Sequence, residues 1–304
     1  MTVLLLGADG QVGFELHRAL ASLAPIVATT RKGVLPGGID CTRCDLDDEN
    51  ALRALIESTQ PRWIVNAAAY TAVDRAEDEP GLAQRINGDA LAVIAATAKR
   101  IDARVVHYST DYVFDGRANQ PWREDDATGP LGAYGRSKLA GEVALRDSGA
   151  AHLIFRTAWV YGPRGANFLR TMLRLARERD RLTIVADQFG TPTPARLIAE
   201  TTALILHTLR DASSTDARFG TYHLTANGHT TWHGFAHRII DHAHRAGLIE
   251  RKPEVAAITT EQFPTKATRP AYSVLDTAKL QSTFGLTLPD WTEGLARVMG
   301  EIHP

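Results

Sequence analysis

The stretch Val3-Leu4-Leu5-Leu6-Gly7-Ala8-Asp9-Gly10-Gln11-Val12-Gly13 decides the fold of this chain. Its four apolar residues predict a buried strand, its glycines predict a tight turn, and the apolar spacing of residues 14–20 predicts a helix. Such a turn lets the backbone approach a pyrophosphate, to which the helix N-terminus offers free N–H groups and a favourable dipole. The order strand, glycine turn, helix therefore predicts a dinucleotide-binding site.

Apolar strands and helical segments continue to alternate along the chain. Strands are predicted at residues 26–30, 62–66 and 104–108, and residues 86–100 predict one of the long helical crossovers that a parallel sheet requires. This alternation indicates an α/β protein with a Rossmann-type, doubly wound parallel sheet.

The composition indicates a small partner. The 304 residues include 34 basic and 35 acidic side chains, so no overall charge attracts the chain to nucleic acid or to an anionic membrane surface. No apolar run reaches membrane-spanning length, and the apolar first residues lack the charged lead of a signal peptide. We therefore expect a cytoplasmic protein with no nucleic-acid or membrane partner.

The second strand ends in Arg31-Lys32 rather than in an acidic residue. A carboxylate at this point takes the ribose hydroxyls of NAD, whereas a basic group accommodates the 2′-phosphate of NADP. Arg31 therefore favours NADPH or a tolerance of both cofactors, although two basic residues in an exposed loop would give the same pattern. Farther along, the small residues 67–69 at a strand end leave room for a flat ligand.

Tyr134 and Lys138 are one helical turn apart, so both face the same way. An ammonium beside a phenol favours the phenolate, which makes Tyr134 a candidate proton donor. The hydroxyls of Ser109 and Thr110 follow a predicted central strand, where open α/β sheets place their ligands. Each pattern also has a structural explanation, an amphipathic helix for the first and a turn or helix cap for the second.

Together, Gly7-x-x-Gly10-x-x-Gly13, the run Ser109–Phe114 and Tyr134-x-x-x-Lys138 resemble the extended short-chain dehydrogenase/reductase superfamily. More narrowly, the chain resembles the dTDP-4-dehydrorhamnose reductase family over nearly its whole length, through residues 109–115, 137–142, 156–162, 167–168, 187–193 and 269–276. The resemblance implies NAD(P)H-dependent reduction of the C4 ketone of dTDP-4-dehydro-6-deoxy-L-mannose to dTDP-L-rhamnose, a step of nucleotide-sugar and cell-surface polysaccharide biosynthesis.

The resemblance also implies a role for individual residues. Tyr134 would donate a proton to the ketone oxygen, Lys138 would hold the nicotinamide ribose and lower the pKa of Tyr134, and Thr110 would polarise the reacting carbonyl. The substrate residues would be Thr110, Asp111, Tyr112, Val113, Trp159 and Asn167, with Trp159 as a wall of the sugar pocket. The cofactor residues would be Gly7, Gly10, Gln11, Val12, Gly13, Arg31, Asp45, Leu46, Ala67, Ala68, Ala69, Tyr134 and Lys138.

Domains interleave along the chain in reductases of this kind. We therefore expect an NAD(P)-binding Rossmann domain at residues 1–160 and about 188–224. A smaller, discontinuous C-terminal α/β substrate domain is expected at about 161–187 and 225–304.

Two other functions remain open from the sequence. One is a related sugar-nucleotide epimerase or dehydratase, which would recycle a tightly held NAD. The other is a non-catalytic regulatory subunit like the methionine adenosyltransferase β-subunit, which is built on the same fold. The presence of Thr110, Tyr134 and Lys138 together counts against the regulatory subunit, and a dehydratase would usually carry a Glu after Asp111, which is absent here.

No metal site is predicted. His229, His233 and His237 lie at four-residue intervals, with His242 and His244 nearby, but His229 precedes the predicted helix, and an exposed histidine-rich face explains the spacing better than zinc. Cys41-x-x-Cys44 has no second pair to complete a zinc site. The sequence leaves open a Mg²⁺ requirement, the choice between NADH and NADPH, and whether the protein is a monomer or a homodimer.

Overall fold

A parallel sheet of seven strands organises the chain, in the order β13-β8-β7-β6-β1-β2-β5. The structure is a computed structural model that describes residues 2–302. Met1 and the last two residues of the predicted substrate domain, His303 and Pro304, lie outside the described residues. The predicted Rossmann-type, doubly wound sheet is confirmed, since every neighbouring pair of its strands is parallel.

The strands and helices alternate as the sequence predicts. The strands are β1 (Val3–Leu6), β2 (Ile26–Thr30), β3 (Val34–Leu35), β4 (Ile39–Asp40), β5 (Thr42–Arg43), β6 (Trp63–Asn66), β7 (Arg104–Thr110), β8 (His152–Thr157), β9 (Val160–Tyr161), β10 (Arg181–Val185), β11 (Phe189–Gly190), β12 (Thr193–Pro194), β13 (Gly220–His223), β14 (Thr230–Thr231) and β15 (Glu254–Ile258). The helices are α1 (Gln11–Leu20), α2 (Glu49–Thr59), α3 (Val73–Ala76), α4 (Pro80–Gln84), α5 (Ala90–Arg100), α6 (Ala133–Asp147), α7 (Phe168–Glu178), α8 (Ala195–Thr208), α9 (Trp232–Arg245), α10 (Ala278–Phe284) and α11 (Trp291–Gly300).

Strand β1 lies where the strand order reverses, with β2 on one side and β6 on the other. Because the strands are parallel, the carboxyl ends of β1, β2, β6, β7 and β8 meet at one edge of the sheet. Open α/β sheets bind their ligands outside this edge, at the point of reversal.

Both faces of β1 are buried, which explains its unbroken apolar run. Val3 and Leu5 pack under α1 and α8 on one face of the sheet. Leu4 and Leu6 pack under α2 and α5 on the other face. The strand is therefore fixed on both sides, and the glycine turn that follows it starts from a rigid position.

A separate apolar core lies outside the main sheet. It is formed by α7, α9 and α11 together with β10, around Leu173, Phe235, Ile239 and Leu295. The domain boundaries predicted from the sequence stay a prediction. Within residues 2–302, no helix has both the length and the apolar character that crossing a membrane requires.

Two local details were not foreseen. The helical crossover expected over residues 86–100 is confirmed, but its first turn, Arg85–Asp89, is π-helical and joins α4 to α5. The cap of α2 is Asp48, whose Oδ1 accepts a hydrogen bond from the Ala51 N–H at 3.0 Å. In the second case the sequence offers three nearby aspartates, all of a residue type that caps helices.

The π-helical turn brings Asn87 against the middle of α6. The Asn87 side chain donates to Ser137 Oγ of α6 at 3.0 Å, and it pairs with the Tyr70 backbone through both of its amide atoms. A Cβ atom on Gly141 would lie 2.2 Å from the Asn87 carbonyl oxygen, far inside any real contact. The helix and the turn can approach this closely only because residue 141 is glycine.

We expect Gly141→Ala to destabilise the protein by about 1–3 kcal/mol, the usual cost of overpacking a tight contact. The measurement is the midpoint of urea unfolding. Gly300→Ala is the control, since this glycine also belongs to a helix but a Cβ atom there meets nothing within 4 Å. Equal midpoints for the two variants would contradict the close contact.

Candidate active site

A cleft of about 620 Å³ opens at the carboxyl edge of the main sheet. This volume lies within the range of small-molecule sites. The cleft gathers most of the residues that the sequence singled out. Those that line it are Gly7, Gly10, Gln11, Val12, Arg31, Asp45, Leu46, Ala67, Ala68, Ala69, Thr110, Asp111, Tyr112, Tyr134, Lys138 and Trp159.

Three of the predicted site residues are not part of the cleft lining. Gly13 lies behind the glycine turn, where a Cβ atom would meet the Gly7 carbonyl oxygen at 1.9 Å, so it serves the packing of the turn. Val113 is fully buried in a small apolar cluster with Phe114. Asn167 caps α7 and donates to Gln11 Oε1 at 2.8 Å, which places it behind a residue that does line the cleft.

The glycine turn has the geometry of an anion-binding loop. Gly7 has a φ of +80°, and a Cβ atom there would lie 2.8 Å from Ala68. Helix α1 begins behind the turn with Gly10 as its N-cap and with no side chain bonded to its first N–H groups. Free N–H groups and a positive helix end therefore face the cleft, as a pyrophosphate requires.

The start of α6 presents Tyr134 to the cleft. Glu77 accepts a hydrogen bond from the Ala133 N–H at 2.7 Å, which fixes the first turn of the helix. A Cβ atom on Gly135 would lie 2.3 Å from the Tyr112 carbonyl oxygen, so the helix touches the chain that follows β7. The Tyr112 and Tyr134 rings meet edge to face, with centroids 5.9 Å apart.

Lys138 is buried one turn further along α6, with 1% of its surface exposed. Its Nζ lies 2.7 Å from the Tyr108 carbonyl oxygen and 3.0 Å from His107 Nε2. Burial lowers the pKa of Lys138 to about 7. The spacing placed Lys138 beside Tyr134 but gave no sign of these other partners.

The environment of Tyr134 favours the protonated phenol. Burial raises the pKa of Tyr134, and a hydrogen bond with Thr110 opposes that rise only in part. The role expected of Lys138, which is to lower this pKa, stays a prediction.

Thr110 and Asp111 follow one another at the end of β7. Thr110 Oγ1 lies 3.0 Å from Asp111 Oδ1 and 3.2 Å from the Tyr112 backbone nitrogen. Only 3% of Asp111 is exposed, and burial raises the pKa of its carboxyl group to about 6. A hydroxyl and a carboxylate thus stand at the carboxyl edge of a central strand, next to Tyr134.

Trp159 forms one wall of the cleft in a strained conformation. Its φ is +46°, a region that tryptophan rarely adopts and that costs about 1–3 kcal/mol. Its ring stacks on Trp232 of α9 with centroids 3.5 Å apart, and a Cβ atom on Gly190 would lie 2.4 Å from it. The wall therefore depends on contacts from three separate parts of the chain.

Sequence reasoning missed three residues of the site. Trp232 lines the cleft from α9, while Asn66 and His107 are buried directly behind Lys138. A histidine inside an otherwise apolar strand and an asparagine at a strand end were the available signals. For Trp232 no local signal existed, since only the fold brings it to Trp159.

The histidines of α9 do not approach the cleft. Thr231 caps this helix as expected, so His229 lies outside it, while His233 bonds the Val255 carbonyl oxygen and His237 pairs with Asp241. Within residues 2–302, no three His, Cys, Asp or Glu side chains gather closely enough to hold a metal ion. The Mg²⁺ question stays open.

Comparison with known proteins connects this geometry to a family. A family model described as RmlD substrate binding domain matches residues 1–303. The dTDP-4-dehydrorhamnose reductase of Shigella flexneri is 46% identical over 302 residues, which are 99% of this chain and 98% of the relative. That of Burkholderia thailandensis is 46% identical over 296 residues, 96% of this chain and 95% of the relative.

Solved structures agree. The dTDP-4-dehydrorhamnose reductase of Clostridium acetobutylicum superimposes with a TM-score of 0.87 at 34% identity, over 99% of both chains. That of Bacillus anthracis, solved in complex with NADP, gives 0.86 at 32% identity, again over 99% of both chains. The UDP-glucose 4-epimerase of Thermus thermophilus, at 20% identity and a TM-score of 0.80 over 99% of this chain and 98% of that one, shares the fold alone. The chain therefore belongs to the RmlD substrate binding domain family, and dTDP-4-dehydrorhamnose reductases that are 46% identical to it are among its relatives.

Proposed function

We propose that this protein reduces the C4 ketone of dTDP-4-dehydro-6-deoxy-L-mannose to dTDP-L-rhamnose, with NADPH or NADH as the reductant. The observation that carries the proposal is the meeting of Thr110, Tyr134 and Lys138 in one cleft with the glycine turn. Relatives that are 46% identical over nearly the full chain are named for this reaction.

The cleft residues fit a dinucleotide. The glycine turn and the uncapped N-terminus of α1 would hold the pyrophosphate, and Asp45 and Leu46 would bound the adenosine end. Arg31 lines the cleft just after β2, where a positive charge suits a 2′-phosphate, and this supports NADPH as the preferred form. When bound, the reduced nicotinamide supplies a hydride to the ketone carbon.

The chain supplies the proton and the positioning. Tyr134 would give its hydroxyl proton to the ketone oxygen, and its raised pKa keeps that proton in place until the oxygen becomes basic. Thr110 would donate a hydrogen bond to the same oxygen, and Asp111 would accept one from a sugar hydroxyl. Lys138, as an ammonium, would hold the nicotinamide ribose and balance the charge of the tyrosine phenolate.

The substrate would lie between the main sheet and the second apolar core. Trp159 and Trp232 supply an aromatic wall on that side of the cleft, suited to the apolar face of a deoxysugar. This placement supports the proposed division into a cofactor domain and a discontinuous substrate domain, with the cleft between them.

The proposal is tested by following NADPH and NADH oxidation with enzymatically prepared dTDP-4-dehydro-6-deoxy-L-mannose, and with UDP- and GDP-linked keto sugars as controls. We expect turnover with the dTDP sugar and faster turnover with NADPH. Stoichiometric NAD in the purified protein without consumption of added NADPH would instead indicate an epimerase or a dehydratase. Binding of NADPH without turnover of any keto sugar would indicate a regulatory subunit.

Tyr134→Phe removes the proposed proton donor and keeps the ring. We expect kcat to fall by a factor on the order of 10² or more, while the Kd for NADPH stays within about twofold, because general acid catalysis is lost but cofactor contacts remain. Tyr222→Phe is the control, a tyrosine whose hydroxyl bonds the Arg218 carbonyl oxygen away from the cleft. A kcat near that of the control would remove Tyr134 from the mechanism.

Asp111 connects stability to pH. Its folded-state pKa of about 6 lies above the ordinary value of 3.8, so the folded protein binds the proton more tightly and loses stability as the pH rises through this window. We expect Asp111→Asn to be more stable than the natural protein at pH 7–8 by on the order of 1–3 kcal/mol, and to lose that advantage near pH 4.

The measurement is urea unfolding across pH. The exposed Asp125→Asn changes the net charge by the same amount and should follow the natural protein at every pH. An Asp111→Asn curve parallel to that control would mean that the carboxylate pays no desolvation cost.

A further inference from the structure

Behind the cleft, three polar side chains form a buried chain from β6 to α6. Asn66 Nδ2 lies 3.2 Å from His107 Nδ1, and His107 Nε2 lies 3.0 Å from Lys138 Nζ. Their exposed fractions are 2%, 1% and 1%, so water cannot easily substitute for a missing partner. Each hydrogen bond therefore constrains the next one.

The orientation of the Asn66 amide is set by the backbone. Its Oδ1 accepts a hydrogen bond from the Ala68 N–H at 3.2 Å, so the other amide atom facing His107 is the NH₂ group. An NH₂ group only donates, and His107 Nδ1 must accept with its lone pair. The single proton of a neutral imidazole then sits on Nε2.

That Nε2–H group points at Lys138 Nζ. An ammonium has three donors and no lone pair, so two donors would face each other across 3.0 Å. An uncharged amine resolves the conflict, since it accepts from His107 Nε2–H and still donates to the Tyr108 carbonyl oxygen at 2.7 Å. The donor-to-acceptor direction of these hydrogen bonds thus favours the uncharged form of Lys138.

We propose that His107 is a positioning residue whose tautomer, fixed by Asn66, holds Lys138 as an uncharged amine in the free protein and makes the active ammonium depend on a tautomer change. The functional part rests on the proposed function. To accept from the ammonium, His107 must move its proton to Nδ1, where it meets the Asn66 NH₂ group. Protonation of Lys138 therefore costs the Asn66–His107 hydrogen bond.

The other charged groups around Lys138 do not reverse the hydrogen-bond direction from Asn66 through His107 to Lys138. Glu142 lies one turn along α6, but hydrogen bonds from Arg156 and Arg146 occupy its carboxylate. Tyr134, one turn earlier on α6, is held neutral by its raised pKa. Burial, and then the charge of Lys138, lower the pKa of His107 well below its usual range, so His107 stays neutral.

The tautomer is tested directly by ¹⁵N NMR of the histidine rings in the natural protein, with His107 assigned by its absence in His107→Phe. We expect Nδ1 to resonate as an unprotonated nitrogen and Nε2 as a protonated one. In Asn66→Asp the carboxylate keeps the Ala68 bond but accepts from Nδ1–H, so the two ring nitrogens should exchange their character. Protonated Nδ1 in the natural protein overturns the proposal.

The functional consequence is tested by the pH profile of kcat/KM for NADPH. The burial that lowers the pKa of Lys138 to about 7 makes activity fall as the pH rises through that value in the natural protein. We expect Asn66→Asp to move this fall to higher pH by about one unit or more, since His107 Nε2 now accepts a hydrogen bond from the Lys138 ammonium. Thr202→Val, which removes a buried hydroxyl bonded to Tyr108 Oη on the other face of β7, should leave the profile in place.

The double variant Asn66→Asp/His107→Phe separates the tautomer from the added charge. We expect most of the shift to disappear, and a shift of the same size would overturn the role of His107. The proposed function fails separately, because the NMR result needs no substrate, and the pH dependence of NADPH binding can replace turnover.

Discussion

Contact between the backbone of α6 and the chain beneath it is the constraint on which the rest of the site depends. Gly135 and Gly141 allow the helix to touch the carbonyl oxygens of Tyr112 and Asn87. The buried ion pair of Glu142 with Arg156 of β8 also fixes this helix against the sheet. Removing one partner of such a pair is strongly destabilising, so it holds the helix in register rather than adding much net stability. With α6 held by both kinds of contact, Tyr134 and Lys138 have fixed positions relative to the ends of the strands.

The site is made of groups that are costly to bury. Burial shifts the pKa values of Asp111 and Lys138 so that their neutral forms are favoured. It also lowers the pKa of His107, which keeps this side chain neutral. A pocket of this kind lowers the effective dielectric constant, which strengthens every interaction made with a ligand. The same burial of ionisable groups lowers the stability of the free protein, which is the usual trade-off between a functional site and maximal stability.

Much of the fold and part of the site could be predicted from the sequence, because they depend on local patterns. Residues 3–20 were enough to predict the strand, the glycine turn and the helix, and four-residue spacing placed Tyr134 and Lys138 on one face of α6. What could not be predicted depends on tertiary contact. The π-helical turn at Arg85–Asp89 packs against α6, and the spacing of apolar residues in the sequence does not predict it. The net rise of the Tyr134 pKa was not foreseen for a similar reason, since spacing shows which charges are near but not how far water is excluded.

The wall formed by Trp159 has a consequence for how the shape of the cleft could change. Its unfavourable backbone is compensated by stacking on Trp232 and by the absence of a side chain at Gly190, contacts that come from distant parts of the chain. Residues that share contacts in this way have strongly non-additive effects when they are replaced. A new pocket shape therefore requires coordinated replacement at positions 159, 190 and 232. A single replacement at one of them leaves the other two poorly packed. The same three positions form a natural unit for directed diversification of this wall of the cleft.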